Sequence, residues 1–177
     1  MSIAEDTGSN AQLFIVVFAG DPIDLMEYRH TLLYLAGYDA TTNRGTPQSS
    51  PSESGEATSK ETLQNSSATA GTIFQVSGAH GFFTYEKEPL SEDMSLTPGF
   101  QRQIPVSTLT AQQAVDFEHI CEYTPVNNRE RGWNCQSWVG DVLQRAVEQG
   151  VLRVPDVDKA VGALADCLLE ATAGNSL

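Results

Sequence analysis

Basic residues are scarce in this chain. Ten Lys and Arg stand against 23 Asp and Glu, giving a net charge of −13 and a pI near 4.4. Nucleic acid and anionic membrane surfaces both need basic patches, so neither is expected as a partner. Long apolar runs are missing too, which argues against a segment that spans a bilayer. Residues 1–11 are polar and acidic, with no basic stretch followed by an apolar one, so no signal peptide is expected. Only three cysteines occur, at 121, 135 and 167. They are too few and too far apart for a disulfide framework or a zinc ligand set. A reducing, cytoplasmic setting follows, with no metal and no cofactor expected. The oligomeric state is not fixed by the sequence.

What is present fits a single domain over residues 1–177, with an ordered core over 11–171. Leu13–Ala19 is a continuous β-branched and aromatic run and predicts a buried central strand. Gly20, Asp21 and Pro22 end it, and residues 24–28 make a short connector. Arg29–Leu35 predicts a second strand, with His30, Leu32 and Tyr34 on one face and Arg29, Thr31, Leu33 and Leu35 on the other. Residues 41–70 are dominated by Ser, Thr, Gly, Pro, Gln and Asn, and predict a disordered insert. Thr72–Ser77 and Phe82–Glu86 predict a third and a fourth strand around a turn at Gly78–Gly81. Residues 87–103 read as a loop, and Gln103–Val106 as a short edge strand. The fold class is therefore α+β, an antiparallel sheet of four to five strands packed against helices.

Three helices are expected in the second half. Thr110 and Gln113 make a capping box for a helix that runs to about Tyr123 and turns Ala114, Phe117, Ile120 and Cys121 inward. A second helix starts at Cys135 and stops at Gly150. Trp138, Val139, Val142, Ala146 and Val147 fall at helical spacing along it, and Cys135 shares their inward face. A third helix opens at Pro155 and Asp156, with Val157, Ala160, Val161, Leu164, Leu168 and Leu169 as its apolar stripe and Cys167 beside that stripe.

Cys135 is the residue on which the functional reading turns. A thiol at a helix start is drawn toward the reactive thiolate by the unpaired N–H groups and the positive dipole end. The competing reading is a small buried hydrophobe, the ordinary role of a lone cysteine. The same choice applies to His30, which could be a core histidine bonded to backbone. His80 lies in a Gly-flanked turn and His119 on the first helix, where exposed histidines are ordinary.

Two motifs carry a resemblance. Tyr28-Arg29-His30-Thr31-Leu32-Leu33-Tyr34 resembles the Tyr-Arg-His-x-x-x-Tyr strand of circularly permuted papain-like cysteine hydrolases, the lecithin:retinol acyltransferase-like and permuted NlpC-like group. Asn134-Cys135-Gln136-Ser137-Trp138-Val139 resembles that group's Asn-Cys-Glu-His-Phe-Val nucleophile motif. The chain is also similar to small uncharacterised fungal proteins with a Tyr-Arg-His-Thr, Gly-Phe-Phe and Trp-Asn-Cys-Gln-x-Trp-Val pattern. The resemblance implies a permuted papain-like arrangement and a thiol hydrolase or acyltransferase. Cys135 would be the nucleophile and His30 the general base and acid. Tyr28, Asn134 and the Cys135 N–H would serve the oxyanion or the substrate. The group usually has a second histidine on the following strand. Here Gln75 holds that slot by strand position, with His80 in the turn beyond as an alternative third residue. The implied substrate is an amide, ester or thioester, carried by a small soluble acyl compound or a peptide. A catalytically inactive binding module of the same fold is the alternative.

Overall fold

The computed structural model describes residues 10–21, 23–38 and 70–173. The insert expected over 41–70 lies outside these residues except for Ala70, as do residues 1–9 of the N-terminal stretch. Among the described residues, five strands form one antiparallel sheet: β1 (Ala11–Phe18), β2 (His30–Ala36), β3 (Gly71–Ser77), β4 (Thr84–Leu90) and β5 (Phe100–Leu109). Three helices follow, α1 (Ala111–Tyr123), α2 (Cys135–Glu148) and α3 (Val154–Ala173). The strand order is β4-β3-β2-β1-β5, so β2 is central and β1 lies beside it.

The two faces of the sheet are both apolar, which explains the unbroken hydrophobic run of β1. Leu13, Ile15 and Val17 join Leu33, Leu35, Phe74 and Val76 in the core that includes the helices. Val16 packs the other way, with Leu32, Tyr34, Ile73 and Met94. That second face is covered by the connection from β4 to β5. Those strands occupy opposite edges, so residues 91–99 must cross the whole sheet. Four strand spacings of about 4.8 Å come to roughly 19 Å, and nine extended residues reach about 30 Å. Met94, in a 3-10 turn at Met94–Leu96, is the buried contact of that crossing.

The last two strands and the loop between them depart from expectation. β4 starts at Thr84 and runs on through Pro89 to Leu90, further than Phe82–Glu86. Gly78 and Gly81 both have positive φ, and a Cβ on Gly78 would lie 2.6 Å from the Phe82 carbonyl oxygen. The turn therefore consumes Phe82 and Phe83 before pairing begins. β5 is ten residues long rather than a short piece, with Pro105 tolerated at the edge beside a register shift at Leu13 and Phe14. The expected loop over 87–103 shrinks accordingly to 91–99. The connector over 24–28 contains a 3-10 turn at Met26–Tyr28.

The helices match their signals more closely. Thr110 and Gln113 form the capping box, and Ala114, Phe117, Ile120 and Cys121 are the buried residues of α1. In α3 the apolar stripe is rotated from the expected one. Cys167 is 1% exposed and lies within the stripe with Ala160, Leu164, Leu168 and Ala171, whereas Val161 and Leu169 are exposed. The physical reason is Arg29. Its guanidinium reaches α3, donating to the Cys167 carbonyl and lying 3.6 Å from the Cys167 sulfur, so the helix turns this side to the sheet.

Candidate active site

The start of α2 is built by its first three residues and the one before them. Asn134 is the N-cap, and its Oδ1 accepts from the Gln136 and Ser137 N–H groups while Ser137 Oγ accepts from the Asn134 N–H. The N–H of Cys135, the first residue of α2, lies outside this cap. Gln136 then ties the helix to the entry of β2. Its side-chain amide donates to the carbonyls of Met26 at 2.6 Å and Arg29 at 3.1 Å. Trp138 and Val139 drive the other side of the turn into the core. The result presses Cys135 against β2, its sulfur 3.8 Å from the Arg29 carbonyl oxygen.

His30 is the next residue along the chain and opens β2, and its ring and the Cys135 thiol lie close enough for each to shift the titration of the other. Its Nε2 lies 2.8 Å from Gln75 Oε1, which leaves Nδ1 for the sulfur. Gln75 in turn donates from Nε2 to Glu86 Oε2 at 3.3 Å, across the β3–β4 pair. Burial works against the charged ring, but the Cys135 and Gln75 bonds, with Glu86 behind them, raise the His30 pKa above its ordinary value. Burial likewise works against a thiolate, yet the His30 bond and charge, with the Thr31 amide and hydroxyl, lower the Cys135 pKa below the ordinary thiol value. Each group thus draws the other toward its charged form.

Cys135 lines a cleft of about 520 Å³ together with Tyr28, His30, His80, Phe83, Trp133 and Asn134, among others. Asn128 fixes one wall by bonding both the N–H and the carbonyl of Phe83, and the Phe83 ring meets Trp133 edge-on at 5.8 Å. Trp133 is held from behind by a bond from Nε1 to Asp141. A larger cleft, about 590 Å³, lies between residues 125–127 and α2 and is lined by neither cysteine nor histidine.

The structure therefore brings together Cys135, His30 and Gln75. Tyr28 lines the cleft, but its backbone N–H already bonds the Leu25 carbonyl, so its exposed hydroxyl is what it offers. Asn134 acts first as the helix cap. His80 lines the cleft without bonding His30, and Gln75 holds the ring instead. Sequence reasoning missed Thr31, Gln136 and Glu86. Cys121 and Cys167 are buried in the core. Among the described residues no three His, Cys, Asp or Glu come together as a metal site, and no helix is long and apolar enough to cross a membrane.

Fold and site together define an α+β protein with a thiol–imidazole pair where a helix start meets a central strand. The chain belongs to the Family of unknown function (DUF6540), whose profile matches residues 48–153, more than half of its length. That match takes in Gln75, Glu86 and Cys135, and begins after His30. No curated protein and no solved structure matches the chain.

Proposed function

We propose that the protein is a cysteine-dependent hydrolase or acyltransferase acting on an amide, ester or thioester. The observation that carries this reading is the juxtaposition of Cys135 and His30 in one cleft at the capped start of α2, with Gln75 holding the ring. The order of the parts, a His-led strand ahead of a Cys-led helix, supports the permuted papain-like arrangement that the two motifs imply.

The proposed chemistry uses these groups in turn. The Cys135 thiolate attacks the acyl carbonyl carbon, and a C–S bond forms. The resulting oxyanion is met by the Cys135 N–H, with the Tyr28 hydroxyl as a second candidate donor. Such a donor contributes about 2.7–4 kcal/mol in comparable sites. Collapse breaks the bond to the leaving group, which takes its proton from the His30 imidazolium. Water or another nucleophile then gives its proton to His30 as it attacks the thioester, and the thiolate leaves. Gln75 keeps the ring in the tautomer this exchange needs.

Cys135→Ala is expected to abolish turnover of an activated ester while circular dichroism and the unfolding midpoint stay near those of the parent. Full turnover in that variant would remove the reading. One observation favours the alternative of a silent binding module: Cys135 is only 8% exposed. Alkylation of the thiol with an ordinary pH dependence would support that alternative.

A further inference from the structure

The sequence offers neither a second histidine nor a carboxylate at the position that orients His30. The fold supplies a carboxylate one residue further out. Glu86 on β4 lies directly opposite Gln75 on β3, and their side chains are bonded at 3.3 Å. We propose that Glu86 is a positioning residue of this site, acting on His30 through Gln75. The inference rests on the thiol–imidazole reading of Cys135 and His30.

A glutamine side chain is nearly symmetric in shape, so its amide can turn over. An imidazolium needs an acceptor from it. Glu86, ionised, can only accept. With Nε2 bound to Glu86, Gln75 presents Oε1 to His30, as observed at 2.8 Å. The flipped amide would set oxygen against carboxylate and N–H against N–H. Glu86 therefore fixes the orientation, and its charge lies beyond the amide dipole on the line to the ring. Its neighbour Lys87 does not cancel it, being bound to Glu118 at 2.6 Å. The other ionisable groups around the cleft are Asp21, Glu27, Tyr28, Arg29, His80 and Arg131. Gln75 hydrogen-bonds the His30 ring, and Cys135 and Glu86 are the ionisable groups that raise its pKa.

The test is the rate of iodoacetamide alkylation at Cys135 between about pH 5 and 10, read by mass spectrometry, together with the His30 titration read by NMR. Glu86→Gln keeps the size of the side chain and removes the charge. It is expected to move the His30 titration down and to cut alkylation near pH 6 by roughly 3- to 10-fold, a shift of about half to one pH unit. Gln75→Leu should do at least as much, and Glu86→Gln added to it should change less than Glu86→Gln does alone, because the orienting part of the path runs through Gln75. The exchanged pair Gln75→Glu with Glu86→Gln should restore the parent's low-pH limb. An unchanged profile and titration in Glu86→Gln, where the parent has that limb, overturns this proposal alone. A parent whose Cys135 has no low-pH limb overturns the thiol–imidazole reading and this one with it.

Discussion

Thr31 is fully buried on the helix-facing side of β2, and its hydroxyl has no hydrogen-bond partner. Its amide and hydroxyl both help to lower the Cys135 pKa, and the hydroxyl is free to donate to the sulfur once the thiolate forms. A hydrogen bond to a charged group contributes about 1.5–3 kcal/mol, equivalent to roughly one to two pH units. Thr31→Val keeps the shape and removes the donor, so the alkylation midpoint of Cys135 should rise by about that much. Thr31→Ser should hold it near the parent value. Equal midpoints in parent and Val variant would show that the hydroxyl does not serve the thiolate. Cys135 and His30 were legible because each opens a regular element, where a reactive group has a local signature. Gln75 was legible by alternation along β3. Thr31 was not, because alternation sets it on the face opposite His30. Only the third dimension shows that the sulfur meets β2 at its end, where the ring and the hydroxyl can both reach it. Glu86 was hidden for a related reason: its partner depends on the β3–β4 register, which the long turn decides.

The 3-10 turn before β2 is held to two helices at once, and this gives the site its frame. Gln136 binds its carbonyls from α2, while Arg29, 4% exposed, reaches α3 on one side and Asp24 on the other. The Asp24 pair is bidentate, with contacts of 2.8 and 2.6 Å. The Arg29 bond is the main reason that the Asp24 carboxyl is lowered to about 2. A carboxyl depressed in the folded state adds stability above its unfolded pKa of about 3.9 and loses it as pH falls through the folded value. The contribution is thus complete at pH 6 and fades between about pH 4 and 2. Asp24→Asn should lower the urea midpoint at pH 6, and the gap to the parent should close as pH approaches 2. A gap that stays constant with pH would mean that the pair contributes through packing alone. None of this clamp was legible, because a five-residue connector carries no periodic signal. The helices were, because capping residues and 3.6-residue spacing are local. α3 went astray in its face, since apolar residues line more than one side of it and Arg29 selects which side is buried. The strand ends went astray where glycine turns and proline edges shift pairing by a few residues.

Among the described residues, the fold is closed by antiparallel neighbours and one long crossing. β2 and β3 are antiparallel neighbours, paired from Leu33 with Phe74 to Ala36 with Gly71. Beyond the last pair the Gly37 N–H donates to the Ala70 carbonyl at 2.8 Å, so the two ends of the intervening segment already meet. Tyr38 belongs to the framework. It is 5% exposed, its hydroxyl bonds Glu118, and its carbonyl accepts from Thr72 at 3.0 Å. A short turn in place of residues 39–69 is therefore expected to leave both strands where they are. Loop closure costs about 0.6 kcal/mol for each doubling of length. Cutting 31 residues to about four removes three doublings, worth roughly 1.8 kcal/mol to the folded state. At this chain size that should raise the thermal midpoint by a few degrees. The shortened protein, keeping Tyr38 and Ala70, should unfold in one transition at the higher temperature and keep the parent's Cys135 alkylation profile. A lower midpoint would mean that the replaced segment contributes more contact energy to the sheet than its closure entropy costs.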